Sequence, residues 1–381
     1  MDSPVKTEVA DAPATIVDFV RESIEGVDRF FFRPSSPATL GLLRLIGGLA
    51  IFYIIFCYSF DLESVVGRSA WFDEARIKSF REEDAYAVPA NNWDDGPQIV
   101  HAPQSTFSIY FHVNDPIGIW VVHIGSLAVI LMFALGLWTR ITSVLTWIAT
   151  LSYIQRSPYH LFGMDTMSNI LILYMMLAPC DKAFSLDSLF ERLRRRKAGD
   201  PNWNAPPAPL GWATFISRCM QIHFCIIYFA AGTSKLLGSS WWSGNALWYV
   251  FANNEFTPME NPLYFETLKF LTQHRYLWEI ALTSCTVYTL ILELALPFLI
   301  WYPRWRWVMM SGSILLHLGI GIFMGLKLFS ILMILLVSSF LPPEVAEWIR
   351  LQCTGNLGFS KDPESEKGEI QSVAVKRSAV A

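Results

Sequence analysis

An amine stands at the end of a long apolar run, Tyr228-Phe229-Ala230-Ala231-Gly232-Thr233-Ser234-Lys235-Leu236, with Trp241, Trp242 and Gly244 close behind it. Such a lysine has two possible roles. It snorkels, laying its carbon stem along lipid with its head in water, or it sits under a loop in low dielectric, where a neutral amine can act as a base. Arg44, His123, His223, Glu293 and His317 also fall inside apolar runs, and ionisable groups at membrane depth are candidates for function. Glu293 stands four residues before Pro297, so a local break there would leave backbone carbonyls beside the carboxylate. The structural alternative pairs Glu293 with a histidine or with Arg44. His223 precedes Lys235 by twelve residues, which places it about 18 Å deeper along a straight helix. Asp165 opens another apolar run, where it either caps a helix N-terminus or pairs with Lys235.

The elements that must hold these groups are membrane spans. Of 381 residues, 53% are hydrophobic and only 16% charged, well below the charge content of a soluble domain. Many of the 15 tryptophans flank apolar runs, as interfacial anchors do. The net charge of -4 carries little information beside the distribution of Arg and Lys between loops. Six cysteines are scattered without zinc or CxxC spacing, and read as small core residues. No metal and no nucleic-acid partner is expected. The N-terminus lacks a cleavable leader pattern, so the first apolar segment reads as a retained span.

Apolar segments at 38–58, 117–138, 141–155, 166–180, 212–235, 277–300, 306–325 and 327–342 suit the roughly 30 Å hydrocarbon core. The reading is an all-α, polytopic transmembrane bundle of about eight spans. The basic stretch Arg192-Leu193-Arg194-Arg195-Arg196-Lys197, Arg140, and Arg304 with Arg306 mark cytoplasmic loops. That orientation places both termini in the cytoplasm and makes outer loops of 59–116, 156–165 and 236–276. Residues 1–34 read as a polar N-terminal segment, 35–345 as the membrane domain, 181–211 as a cytoplasmic linker, and 346–381 as a disordered tail. Loop 59–116, acidic and rich in Trp and Pro, reads as a folded cap. Lys235, His160 and Asp165 then fall on one outer face.

The stretch Gln221 to Gly244, QIHFCIIYFAAGTSKLLGSSWWSG, resembles that around the catalytic lysine of the vitamin K-dependent γ-glutamyl carboxylases and of their bacterial relatives, the horizontally transferred transmembrane (HTTM) proteins. The likeness extends in order through Leu135-Gly136-Leu137-Trp138-Thr139-Arg140-Ile141-Thr142, Leu161-Phe162-Gly163, Leu186-Asp187-Ser188-Leu189, His317 and Lys327-Leu328-Phe329-Ser330-Ile331. Lys235 falls on the family's base, with Ser234 where the carboxylases carry a second lysine. His160 stands near the position of a family histidine. The carboxylases continue into a large luminal domain, whereas the present sequence runs to Ala381.

The resemblance implies a multi-pass protein of the bacterial cytoplasmic membrane with a site on the outer face. It further implies a reduced vitamin K-like quinone deprotonated by Lys235. The shared outer face makes His160 and Asp165 the expected neighbours of that lysine, and Trp241, Trp242, His317 and Glu293 are the residues expected around the cofactor. Reaction with oxygen would then yield a base that removes a glutamate γ-proton, and carbon dioxide would trap the carbanion. Membrane lipid, an exported peptide or protein substrate, and a separate substrate-binding partner are the partners implied. The alternative is a non-catalytic accessory protein for maturation, export or immunity of a secreted peptide, with Lys235 in a structural ion pair. A transporter is disfavoured because the two halves show no inverted repeat. The orientation predicts that a cysteine at position 160 is labelled from the outer side while one at 195 is protected; the opposite pattern removes the common-face argument.

Overall fold

The computed structural model describes residues 16–355 except 69, 72, 74, 78, 80–84, 89–97, 102–106, 114, 158–160 and 256–257. Among these residues the chain is helical apart from one antiparallel ladder, β1 Ala85–Val88 with β2 Gln98–His101. The bundle is built from α2 (Ala38–Cys57), α4 (Pro116–Leu135), α5 (Thr139–Arg156), α6 (Gly163–Leu177), α8 (Gly211–Leu236), α12 (Arg275–Leu299), α13 (Pro303–Phe323) and α14 (Lys327–Val337). Shorter helices join them: α1 (Ile16–Phe32), α3 (Leu62–Val66), α7 (Leu186–Lys197), α9 (Ser239–Trp242), α10 (Ala246–Phe251), α11 (Pro262–Gln273) and α15 (Pro343–Gly355).

All eight expected apolar segments are helices, but five are long and apolar enough to cross a membrane unaided, or six if α14 and α15, bent by 111°, make one span. The shortfall has a physical cause. Helix α6 has only 15 residues, and α5 dilutes its apolar content with Thr, Ser and two arginines. On α5 the usual polarity is inverted. Thr142, Ser143, Thr146 and Thr150 are buried while Ile141, Val144 and Leu145 are exposed. Similarly, α12 exposes Ile280, Val287, Ile291 and Phe298, and α13 exposes Leu315 and Ile322. Apolar faces of this extent are incompatible with water but suit lipid, so the chain is a multi-pass membrane protein.

Leu43, Ile51, Ile130, Phe133, Leu171, Phe224, Leu296 and Leu332 form the shared core. Small residues set its spacing. A Cβ at Gly48 would lie 2.7 Å from the Ala134 backbone, and one at Gly47 would meet the Leu171 side chain, so α2 approaches α4 and α6 as only glycine permits. Helix α4 starts on the Asp115 carboxylate, which accepts from the Gly118 amide at 2.6 Å, and ends at Gly136 with φ 71°. Asp187 next caps α5 from outside, accepting from the Trp138 and Thr139 amides at 3.0 and 3.1 Å. Two of the stretches that carry the family resemblance therefore meet in space.

One boundary differs from the sequence reading, and one expected segment holds a helix. The N-terminal segment contains α1, an amphipathic helix packed on α8 through the stacked rings of Phe32 and Phe215. The first ten residues of the expected tail belong to α15, where Ala346 and Arg350 are buried against the bundle. Composition favoured a polar tail at both places, and amphipathic packing prevailed. The remainder of the tail lies outside the described residues.

Gly136 sits over Arg44, whose guanidinium donates to the Phe184 carbonyl, and a Cβ there would collide with that guanidinium. Gly136→Ala is expected to destabilise by about 1–2 kcal/mol from the left-handed backbone alone, and by more through displacement of Arg44. Gly125, with nothing within 4 Å of an added Cβ, is the control, since Gly125→Ala should stabilise its helix by roughly 0.5–1 kcal/mol. Thermal unfolding midpoints in detergent measure both.

Candidate functional site

Lys235 occupies the last turn of α8 and faces α12. The two helices come close because position 232 is glycine: a Cβ there would lie 2.9 Å from the Leu294 side chain and 3.2 Å from Cβ of Glu293. Lys235 Nζ consequently stands 2.8 Å from both carboxylate oxygens of Glu293 and donates a hydrogen bond to Oε1. The lysine side chain is 24% exposed and that of the glutamate 10%. Contrary to the sequence reading, Glu293 pairs with neither a histidine nor Arg44, and α12 continues through Pro297 to Leu299.

Beyond the lysine the chain folds back through Gly238 into α9. This return lays the Trp241 ring against the ammonium, with Nζ 5.4 Å from its centroid, as a cation–π contact requires. Trp242 has a different part. It is exposed, and its indole N–H donates to the Leu236 carbonyl at 2.7 Å, closing the C-terminus of α8.

A buried polar chain lies beside the pair. The Tyr228 hydroxyl is 2.7 Å from His317 Nε2 and 2.7 Å from Ser313 Oγ. Ser313 and His317 are one helical turn apart on α13, and Tyr228 is two turns before Lys235 on α8, so each pair shares a face. Tyr228 precedes Lys235 by seven residues on α8, about 10 Å along the helix axis. Phe329 of α14 covers the imidazole, with ring centroids 5.8 Å apart. His317 Nδ1 is buried without a hydrogen-bond partner. The cluster thus brings together an ammonium, a carboxylate, an imidazole and a phenol on three helices.

The other residues singled out from sequence are placed as follows. His160 lies outside the described residues. Asp165 is in the first turn of α6 and its carboxylate accepts from the Phe162 amide at 2.8 Å, so it caps its own helix while Lys235 pairs with Glu293. His223 is deeper on α8, with Nδ1 3.1 Å from the Tyr174 hydroxyl. Arg44 is fully buried between the ends of α4 and α6.

His123 belongs to a second buried network that sequence reasoning missed. Its Nε2 is 2.8 Å from Ser59 Oγ, its Nδ1 2.6 Å from the Tyr153 hydroxyl, and Tyr153 accepts from Tyr110 at 2.7 Å. Burial pushes the Tyr110 phenol up to about 12, so it stays protonated and donating at neutral pH. Tyr228 and Ser313 were likewise missed. The available signal was their helical spacing from Lys235 and His317.

Comparison of the chain with known families, curated proteins and solved structures finds no match.

A buried pair losing one partner is left with an uncompensated charge, at a cost of about 3–5 kcal/mol. Lys235→Met and Glu293→Leu should each lower the unfolding midpoint substantially. The double variant should recover most of the loss, because it leaves no orphan charge. Additive losses in this double-mutant cycle would show that the two side chains are not coupled.

Proposed function

We propose that this chain is a carboxylase-like HTTM protein of the membrane in which Lys235, paired with Glu293, is the reactive centre at the outer face. The observation carrying this reading is the cluster itself: Lys235 ends its helix against Glu293 and Trp241, beside the Tyr228–His317 chain. The reading takes all eight bundle helices as crossing in alternating direction, although five, or six with the bent α14–α15 pair, are long and apolar enough to cross unaided. The basic segment of α7, Arg192 to Lys197, marks the cytoplasmic side under the positive-inside rule, which leaves Lys235 outside and both termini inside.

A reduced quinone suits the chemistry of this cluster. The partnerless Nδ1 of His317 is a buried polar atom that wants a hydroxyl, and Trp241 offers a ring face beside the amine. The quinol supplies an acidic hydroxyl and the electrons that reduce oxygen. The protein supplies the proton acceptor. An ammonium bound to Glu293 cannot accept a proton, so base function requires the proton to pass to the carboxylate, which stands 2.8 Å away, leaving a neutral amine. Tyr228, fixed by Ser313 and His317, holds the imidazole in place.

The experiment supplies membranes containing the protein with reduced quinone, oxygen and labelled bicarbonate. Wild type should epoxidise the quinol, and Lys235→Ala should lose the activity by about 10²-fold or more, the usual contribution of a positioned base. Inert but folded wild type, with an exported peptide supplied, would overturn the enzymatic reading.

The accessory reading has its own support in the same pair: an ammonium fully matched by a carboxylate is also what a purely structural site looks like. It predicts that Lys235→Met with Glu293→Leu keeps biological function, whereas the enzymatic reading predicts total loss. Peptide maturation or immunity in cells separates them.

A further inference from the structure

Toward the opposite end of α8, around Arg218, seventeen positions before Lys235 and so about 25 Å away, a cleft of about 1360 Å³ opens between α1, α8, α13 and α15. Its walls carry Arg29, Arg33, Arg218 and Arg306 against two acids, Glu344 and Glu347. Glu347 is already engaged, accepting from Ser36 Oγ and Arg350 Nε at 2.7 Å each. The cleft therefore has an excess of positive charge within a bundle otherwise poor in charge.

Several of its polar groups lack partners. Thr39 and Ser339 are 6% and 4% exposed, both line the cleft, and neither hydroxyl has a hydrogen-bond partner. Arg306 Nε is also buried and unpartnered. Arg218 by contrast is held rigidly: its guanidinium lies 4.7 Å over the Phe30 ring and 5.5 Å from Trp301, and it donates to the Phe30 carbonyl and Gln221 Oε1. The fixed guanidinium of Arg218, with the unpartnered Arg306 Nε and two unsatisfied hydroxyls, forms a donor set whose natural complement is a phosphate oxygen. Buried donors rarely remain unpaired.

Helix α1 indicates where the phosphate comes from. It exposes Ile16, Phe19, Val20, Ile24 and Val27 along one face, while Arg21, Glu22, Glu25 and Asp28 mark the other. This is the pattern of a helix lying in a membrane interface, and Gly26, Arg29 and Phe30 from the same helix form one wall of the cleft. We propose that the cleft binds the phosphate of an anionic phospholipid, clamped between the arginines of α8 and α13 with α1 lying over it in the interface. The site is independent of the reaction proposed at Lys235.

The test uses the full chain in nanodiscs of phosphatidylcholine with or without phosphatidylglycerol, and native mass spectrometry of the lipids retained on release. Phosphatidylglycerol should be kept in preference to phosphatidylcholine. Each arginine removed should lower that preference about fivefold, as one basic residue near an anionic surface contributes. Arg306→Gln is the primary variant, because its Nε makes no bond whose loss would unfold the chain. Arg218→Gln is the second, and Arg304→Gln, outside the cleft, is the control. Inorganic phosphate added to phosphatidylcholine discs distinguishes the sources. Stabilisation by phosphate alone, abolished by Arg306→Gln, would assign the cleft to a soluble phosphate and overturn the lipid. Equal retention of the two lipids by folded wild type, or equal preference in Arg306→Gln and Arg304→Gln, would overturn the site.

Discussion

An ion placed inside an apolar bundle needs its partner close by, and this constraint organises both ends of the molecule. Desolvating a charge costs several kcal/mol unless an opposite charge or a set of dipoles replaces the lost water (about that magnitude per ion). Lys235 is matched by Glu293 and Arg218 by two aromatic faces and two acceptors, whereas Arg44 donates to the Phe184 carbonyl with its Nε and Nη1 buried and without hydrogen-bond partners. Each match joins helices distant in sequence. The lysine ties α8 to α12, and Arg44 ties α2 to the loop after α6. The close approach these contacts need is provided by glycines, at Gly232 for the ion pair and Gly136 for the buried arginine.

The surface obeys the complementary rule. Lipid gives no reward for hiding leucine, so α12 and α13 present apolar side chains outward, and α5 turns its threonines and serines inward. Thr146 and Thr150 of α5 are buried without a hydrogen-bond partner, whereas other inward-facing hydroxyls meet histidines. Ser59, His123, Tyr153 and Tyr110 form one such chain, and Ser313, Tyr228 and His317 another. Only the second lies beside a charged pair, and for that reason the chemistry is assigned to it.

The two ends of α8 therefore carry different chemical groups. One end holds a single paired ammonium among aromatic and polar groups, suited to moving a proton. The other carries several arginines and unmatched hydroxyls, suited to holding an anion. About 25 Å of apolar helix separates them, so substitutions at one end can be read without disturbing the other.

Hydropathy alone determined the helical, multi-pass class, because an apolar run long enough to span lipid has few other stable conformations. It overstated the number of self-sufficient spans: α5 and α6 are helices whose short or polar-diluted sequences rely on neighbours. Sequence also singled out Lys235, Glu293 and His317, since ionisable residues stand out in apolar runs. Their grouping was not legible. Residues 235, 293 and 317 lie on three helices whose rotation and contact are set by packing, and nothing in local spacing states which carboxylate meets the lysine. Asp165 illustrates this. Its position at a helix start favoured capping but also admitted pairing, and the tertiary contact of α8 with α12 left it to cap. The arginine cleft was invisible for the same reason, because residues 29, 33, 218 and 306 become neighbours only when the bundle closes.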